Sequence, residues 1–160
     1  MISAVIFDLD GTLVETEELK ALSYVRAANE LRPEVREEEV TGVFGEVVGR
    51  SRQEVAQTLL ERFGLEESAR ERMAGLGVGT PWQAYVRLRL RHYEALLDDP
   101  QVVLDHRYAH NVALLHEVGR LGYPTGLATM SHDEQVRRVL SILGLTEEFD
   151  VIATRDDVEP

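Results

Sequence analysis

Two aspartates, Asp8 and Asp10, stand near the start of the chain at a spacing that could support chemistry. Residues two apart in an extended chain point to the same side, so both carboxylates should face one place. Two like charges at the end of a buried strand are costly unless a cation lies between them. A hard divalent metal with oxygen ligands meets that need, so the spacing predicts a Mg²⁺ site.

The segment that must position these aspartates is predicted to be a buried β-strand. Val5, Ile6 and Phe7 form an apolar run that is too continuous for a strand with one solvent-facing side, so we expect both faces to be covered. Gly11 then marks a turn. Asp and Gly are also common in ordinary turns at strand exits, and this simpler interpretation stands beside the chemical one.

Residues 14–100 predict a block of charged helices without a convincing strand. Within it, Ser51 and Glu54 form the pattern of a capping box at a helix start, and Gly64 ends that helix. The last helix of the block is expected to close at the Asp-Asp-Pro sequence of 98–100. We interpret the block as a helical insert.

An α/β pattern follows the insert. Short apolar strands at 125–129 and 149–154 alternate with two helical segments, which predicts a parallel sheet with right-handed crossovers. In such sheets ligands bind beyond the carboxyl ends of the strands, and Asp8, Asp10 and Thr129 all fall at that edge.

The run 8–13, Asp-Leu-Asp-Gly-Thr-Leu, resembles the first signature of the haloacid dehalogenase (HAD) superfamily of phosphatases and phosphomutases at all six positions. The resemblance implies an α/β fold: a HAD-like doubly wound parallel sheet core with a helical cap inserted after the first strand. The core would comprise residues 1–13 and 101–160, and the cap residues 14–100.

The same resemblance implies roles for the matched residues. Asp8 would be the nucleophile that takes the phosphoryl group as an aspartyl phosphate. Asp10 would be the general acid/base that protonates the leaving oxygen and later activates water. Gly11 would let the backbone turn sharply beside the bound phosphate, and Asp8 and Asp10 would hold the Mg²⁺ cofactor.

Residues 126–129, Gly-Leu-Ala-Thr, resemble the second signature of the family, a short apolar strand closed by Thr or Ser. Thr129 would hold the transferring phosphoryl group beside the free backbone amides of the next helix, and Ser131 would border that group. Ser131 and Glu134 also form a capping-box pattern. In the alternative interpretation Ser131 is only a helix cap and Thr129 only a strand residue.

The insert resembles the cap of the branch that contains β-phosphoglucomutase and similar small-molecule phosphatases. Residues 49–52, Gly-Arg-Ser-Arg, resemble the substrate loop of that branch, so Arg52 would contact a phosphate or acidic group on the substrate, or remain in water. Lys20 stands where the mutases carry a His that assists proton transfer, which weakens the mutase interpretation. Lys20 itself would bind an anionic sugar phosphate or face solvent.

The third signature of the family is a Lys shortly after Asp-Asp-Val, and the fourth is an acidic pair on a later strand. The chain contains Asp156, Asp157 and Val158 without that Lys or that pair, and the two aspartates are alternative metal ligands. We expect either a fragment of a protein of roughly 220 residues, or a chain that completes its sheet by self-association through the exposed edge of the first strand.

Composition limits the remaining functions. The formal net charge of -12 argues against a general nucleic-acid binder, and the absence of cysteine excludes thiolate chemistry. No apolar run approaches ~18 residues, so we expect no membrane span and a soluble cytoplasmic protein. The leading hypothesis is a Mg²⁺-dependent phosphatase of a small phosphorylated metabolite. A sugar-phosphate mutase and an inactive fragment or binding module are the alternatives.

Overall fold

The structure, a computed structural model, describes residues 2–158. Its elements are, in chain order, β1 (Val5–Phe7), α1 (Thr16–Leu31), α2 (Glu37–Val47), α3 (Arg52–Phe63), α4 (Glu66–Leu76), α5 (Pro81–Leu97), α6 (Pro100–Asp105), α7 (Ala109–Arg120), β2 (Thr125–Ala128), α8 (Asp133–Leu143) and β3 (Val151–Ala153), followed by a 3₁₀ turn at Arg155–Asp157. The chain divides into two compact units. The first contains the residues up to Glu17 and those from Leu97 onward, and the second is Glu18–Leu96.

The first unit is built on a parallel sheet of order β1-β2-β3. Phe7 pairs with Leu127, and Leu127 pairs with Ile152, so the three strands are in parallel register. Helix α7 connects to β2 and helix α8 follows it, which is the predicted alternation. The predicted α/β class with a parallel sheet is therefore confirmed.

The prediction that both faces of β1 are covered is wrong. Phe7 is buried, but Ile6 is 72% exposed, and Val151 on the same sheet face is 65% exposed. The two residues lie on either side of Gly126 in the strand register. Most of the Ile6 side chain is therefore uncovered within residues 2–158. Its apolar character follows β-propensity rather than burial.

The second unit is helical, as the sequence predicts for this region. Helices α1 to α5 pack around one apolar cluster that includes Val25, Leu59 and Tyr85. The predicted capping box is present, because the Ser51 side chain and the Glu54 backbone and side chain bond reciprocally at the start of α3. That this unit acts as a cap stays a prediction.

Two short helices were not expected. Helix α2 begins with three glutamates and contains two glycines, but it buries Val40, Val43, Phe44 and Val47 on one face. Helix α6 begins at Pro100, where Asp99 accepts a hydrogen bond from the Gln101 amide at 2.9 Å. The Asp-Asp-Pro sequence therefore also starts a helix, because Pro is well suited to the first helical position. Within residues 2–158, no helix combines the length and apolar character needed to cross a membrane.

Candidate active site

The turn that carries the two aspartates follows β1 directly. The buried carbonyl of Leu9 accepts backbone N–H groups from Thr12, Leu13 and Val14 at 3.3, 2.9 and 3.1 Å. Gly11 has a φ of 75°, a left-handed conformation that residues with a Cβ rarely adopt. The chain therefore folds back on itself within one turn, and Asp10 projects from it.

Asp10 meets the second signature. The Ser131 hydroxyl donates to Asp10 Oδ2 at 2.5 Å, and the Ser131 backbone N–H donates to Thr129 Oγ1 at 3.2 Å. Thr129 follows β2 and is buried, so its hydroxyl is held in place. Asp10 Oδ1 is also buried and has no hydrogen-bond partner. The structure thus brings Asp10, Thr129 and Ser131 together, while the roles assigned to them stay predictions.

The predicted capping box of Ser131 and Glu134 is wrong. Helix α8 begins at Asp133, and the side chain of its N-cap residue, His132, makes no capping hydrogen bond. Instead Asp156 Oδ2 accepts the Asp133 amide at 2.8 Å, and Asp156 Oδ1 lies 2.8 Å from His132 Nδ1. Ser131 lies one residue before the N-cap of α8, and its hydroxyl donates to Asp10 instead.

This arrangement changes the expected phosphate site. The amides of Ser131 and Asp133 already donate to Thr129 and Asp156, so they are not free as the sequence suggested. The hydrogen bond from the Asp133 amide is the largest cause that lowers the pKa of Asp156, and the hydrogen bond with the His132 ring is the second. Asp156 therefore places a carboxylate of this chain at the start of α8. Thr129 Oγ1 keeps its own hydroxyl proton to donate.

The neighbouring aspartates are used structurally. Asp157 Oδ2 accepts the Thr154 amide at 2.7 Å and the Thr154 hydroxyl at 2.9 Å, which forms a second capping box. Both carboxylates of this pair therefore have local partners, and the geometry gives no support to Asp156 and Asp157 as metal ligands. Across residues 2–158, no group of three or more metal-ligating side chains is present.

The remaining predicted residues lie elsewhere. Gly11 is exposed within the turn of the first unit. Lys20 is half-buried on α1, and Arg52 is the exposed first residue of α3, both within the second unit.

A charged residue that the sequence analysis missed lies in the second unit. Arg89 on α5 is only 6% exposed, and its guanidinium carbon lies 5.0 Å from the ring centres of both Tyr24 and Tyr93. Its Nε atom is buried without a hydrogen-bond partner. Burial, the largest cause, and the nearby charge of Arg52 lower the pKa of Arg89, although the two tyrosines oppose this shift.

The sequence did contain a signal for Arg89. The residue is three positions after Val86 and four before Tyr93, which places it on the buried stripe of α5. An Arg on an apolar stripe is unusual because a buried charge is costly without a partner. The spacing alone therefore indicates that Arg89 is an unusual charged residue on an apolar stripe.

A parallel α/β sheet with two aspartates in the turn after its first strand defines the fold and the candidate site. Residues 5–160 match the haloacid dehalogenase-like hydrolase family, and the chain belongs to that family. The predicted family is confirmed, and it is a family of hydrolases.

Particular relatives refine the comparison. Pyrophosphatase PpaX of Bacillus cereus (strain B4264) is 28% identical over 160 residues, which cover 99% of this chain and 62% of the relative. A β-phosphoglucomutase structure from Clostridium difficile is 23% identical, with a TM-score of 0.60 over 100% of this chain and 65% of the other. The structure of a Thermotoga maritima protein provisionally assigned as a β-phosphoglucomutase is 20% identical, with a TM-score of 0.68. The match covers 99% of this chain and 64% of the other. At these identities the structural likeness concerns the fold. The chain spans 62% of the length of the curated relative.

Proposed function

We propose that this protein is a Mg²⁺-dependent phosphohydrolase that acts through Asp8 on a small phosphorylated metabolite. A carboxylate oxygen of Asp8 forms a bond to phosphorus while the bond from phosphorus to the leaving oxygen breaks, and Asp10 gives that oxygen its proton. Water then attacks phosphorus, Asp10 takes the proton from the water, and the bond to Asp8 breaks. Inorganic phosphate leaves and the carboxylate of Asp8 is restored.

The observation that carries this proposal is the hydrogen bond from Ser131 to Asp10. It joins the two motifs across 121 positions of sequence, and this supports a shared site for Asp10 and the Thr129 hydroxyl, to which Asp8 would belong through its place two residues before Asp10. The bond occupies only Oδ2 of Asp10 and leaves the buried Oδ1 without a partner. Asp10 therefore has an oxygen available for proton transfer or for a ligand.

The residues present fit a hard divalent cation in part. Asp8 would supply a carboxylate oxygen and Asp10 its backbone carbonyl oxygen, and oxygen atoms are the ligands that Mg²⁺ prefers. When bound, Mg²⁺ would offset the charge shared by the two carboxylates and the phosphoryl oxygens. The described residues supply two of the several oxygen ligands that such an ion takes.

Within the second unit, buried Arg89 is a candidate group for binding an anion. A buried guanidinium without a carboxylate partner is costly, and a phosphate or carboxylate of a ligand would offset that cost. Arg52, which also lies in the second unit, would be a further cation for an anionic ligand. The relatives agree in kind, since one is named a pyrophosphatase and another a β-phosphoglucomutase.

The proposal is tested with Asp8→Asn and a panel of phosphorylated metabolites that includes inorganic pyrophosphate and sugar phosphates. We expect phosphate release with Mg²⁺ by the native chain and a loss of about a thousandfold or more in Asp8→Asn, because the amide cannot form the phosphoenzyme. Circular dichroism must show the same fold in both. Glu15→Gln, an exposed acid after the turn, is the matched control.

The outcomes separate the alternatives. Equal turnover by Asp8→Asn would refute the nucleophile. Conversion of a sugar phosphate to its isomer without phosphate release would identify a mutase. Ligand binding that is equal with and without Mg²⁺, combined with no turnover, would identify a binding module.

We also propose that two copies of the chain associate through the open edge of β1. Among the described strands β1 pairs only with β2, and exposed Ile6 lies beside that edge. Sedimentation velocity should show a dimer that Ile6→Lys dissociates. Leu114→Lys, which changes another exposed apolar residue, should leave the dimer intact. A stable monomer of the native chain would contradict this proposal.

A further inference from the structure

Asn111 contacts the aspartate turn, and neither the sequence analysis nor the proposed reaction uses it. Its side-chain Nδ2 donates to the backbone carbonyl of Thr12 at 2.7 Å, across 99 positions of sequence. Asn111 lies in the first turn of α7 and is half-buried. The bond therefore ties the start of a helix to the turn that follows Asp10.

The other bonds across this junction are made by the backbone. The Tyr108 amide donates to the Leu13 carbonyl at 2.9 Å, and the Glu15 amide donates to the His106 carbonyl at 2.8 Å. Val14 also forms an isolated antiparallel bridge with Arg107. Unlike these backbone bonds, the bond from Asn111 is made by a side chain, so a substitution can remove it alone.

We propose that Asn111 is a positioning residue that holds the turn of residues 8–14 in the shape that places Asp10 against Ser131. The Thr12 carbonyl lies two residues after Asp10, and Thr12 also donates to the Leu9 carbonyl that closes the turn. The hydrogen bond from Asn111 to the Thr12 carbonyl would therefore set the direction in which the Asp10 side chain leaves the turn. A displacement of about 1 Å in a reacting group can cost about a hundredfold in rate.

The kinetic part of this inference rests on the proposed function, but the structural part does not. Asn111→Asp removes the donor and keeps the shape of the side chain. An acidic residue in the first turn of a helix is favourable, so α7 should not lose stability. A purely structural role would therefore predict little change in this variant, whereas a positioning role predicts a local change at the turn.

The test uses three variants of the full chain. Asn111→Asp and Asn111→Leu should each speed amide hydrogen exchange at Thr12, Leu13 and Val14 by about fivefold or more, and should shift the carboxyl ¹³C resonance of Asp10. Gln101→Leu is the control, because Gln101 donates a comparable side-chain bond to Asp105 at 2.7 Å on α6. It should change neither readout. The leucine variant keeps the test valid if the aspartate variant folds poorly.

The kinetic readout completes the test. Both Asn111 variants should lower kcat by about tenfold or more with KM within about twofold, since the substrate-binding residues are intact. Unchanged exchange and an unchanged Asp10 resonance would overturn the proposal, as would a changed turn with native kcat. If the native chain turns over no substrate, the proposed phosphohydrolase falls, and the exchange and resonance data still decide whether Asn111 holds the turn.

Discussion

The two units differ in how some of their charged groups are partnered. In the first unit, Asp10 bonds to Ser131, and Asp156 bonds to His132 and to the Asp133 amide, so acids find donors within the chain. In the second unit, the buried Arg89 lies between two tyrosine rings with its Nε unpartnered. The contrast is therefore between carboxylates that accept hydrogen bonds within the first unit and a buried cation in the second unit that lies against tyrosine rings.

The contrast holds within the second unit as well. Glu30 accepts hydrogen bonds from Arg91 at 2.5 Å and contacts His92 at 2.8 Å, so neighbouring cations of α5 do have a carboxylate partner. Arg91 is mostly exposed, where an ion pair contributes little to stability. Arg89 is buried on the same helix, so the free-energy cost of removing its charge from water is larger than for Arg91.

Among the changes that test this contrast, Arg89→Met should have the largest effect. Removal of the buried charge should weaken binding of inorganic pyrophosphate by about ten- to a hundredfold, as expected for a charged hydrogen-bonding partner. The same change should raise the free energy of unfolding by about 1 kcal/mol or more, because an apolar side chain replaces a costly charge. Isothermal titration calorimetry and urea unfolding measure the two effects.

Arg87→Met is the matched control for this prediction, since Arg87 lies exposed on the same helix. It should change neither affinity nor stability beyond a few tenths of a kcal/mol. If Arg89→Met instead lowered stability without affecting pyrophosphate binding, Arg89 would serve only the packing of α5.

A smaller effect should distinguish the two capping boxes. Ser51→Ala removes the side chain that accepts the Glu54 amide at the start of α3, and should cost about 1 kcal/mol. Thr154→Ala removes the corresponding group in the first unit, at a 3₁₀ turn of three residues. Because that turn has no long helix to stabilise, its loss should be smaller. Urea unfolding of both variants at neutral pH gives the comparison, and an equal loss would contradict it.

The smallest expected effect concerns pH. In the folded protein the pKa of Asp156 lies below its ordinary value of 3.8, because it accepts the Asp133 amide and contacts His132. A group with a depressed folded pKa contributes stability above the unfolded pKa, and loses it as pH falls through the folded pKa. Asp156→Asn should therefore be less stable than the native chain near neutral pH, and the gap should narrow in acid.

Glu30 offers the same test in the second unit, because the hydrogen bond from Arg91 is the largest cause that lowers its pKa. Glu30→Gln should show a gap of the same sign that also narrows in acid. Thermal unfolding over a range of pH values measures both gaps. A gap that stays constant with pH in either variant would show that its carboxylate does not act through its charge.

Much of the first unit could be predicted because its signals are local. The apolar run of Val5 to Phe7, the Gly11 turn and the strand that ends before Thr129 are each determined by neighbouring residues. The capping box at Ser51 is equally local. These elements follow from short-range sterics and hydrogen bonding, which a linear sequence displays directly.

The errors concern partners that are distant in sequence. Ser131 has the pattern of a helix cap, but its hydroxyl bonds to Asp10, 121 positions away. Ile6 has the apolar character of a core residue, but its exposure depends on whether another element covers that face of the sheet. The same holds for Asn111, whose bond to Thr12 depends on where α7 begins in space. Local patterns cannot specify such choices.

The exposed row formed by Ile6 and Val151 also governs colloidal behaviour. These two residues expose apolar surface that favours association between molecules. At low ionic strength, the formal net charge of -12 opposes association by electrostatic repulsion. Added salt screens that repulsion over a Debye length of about 10 Å at 0.1 M, while it leaves the apolar attraction in place. The second virial coefficient of the protein should therefore fall as the salt concentration rises. Its solubility should depend on ionic strength in the same way.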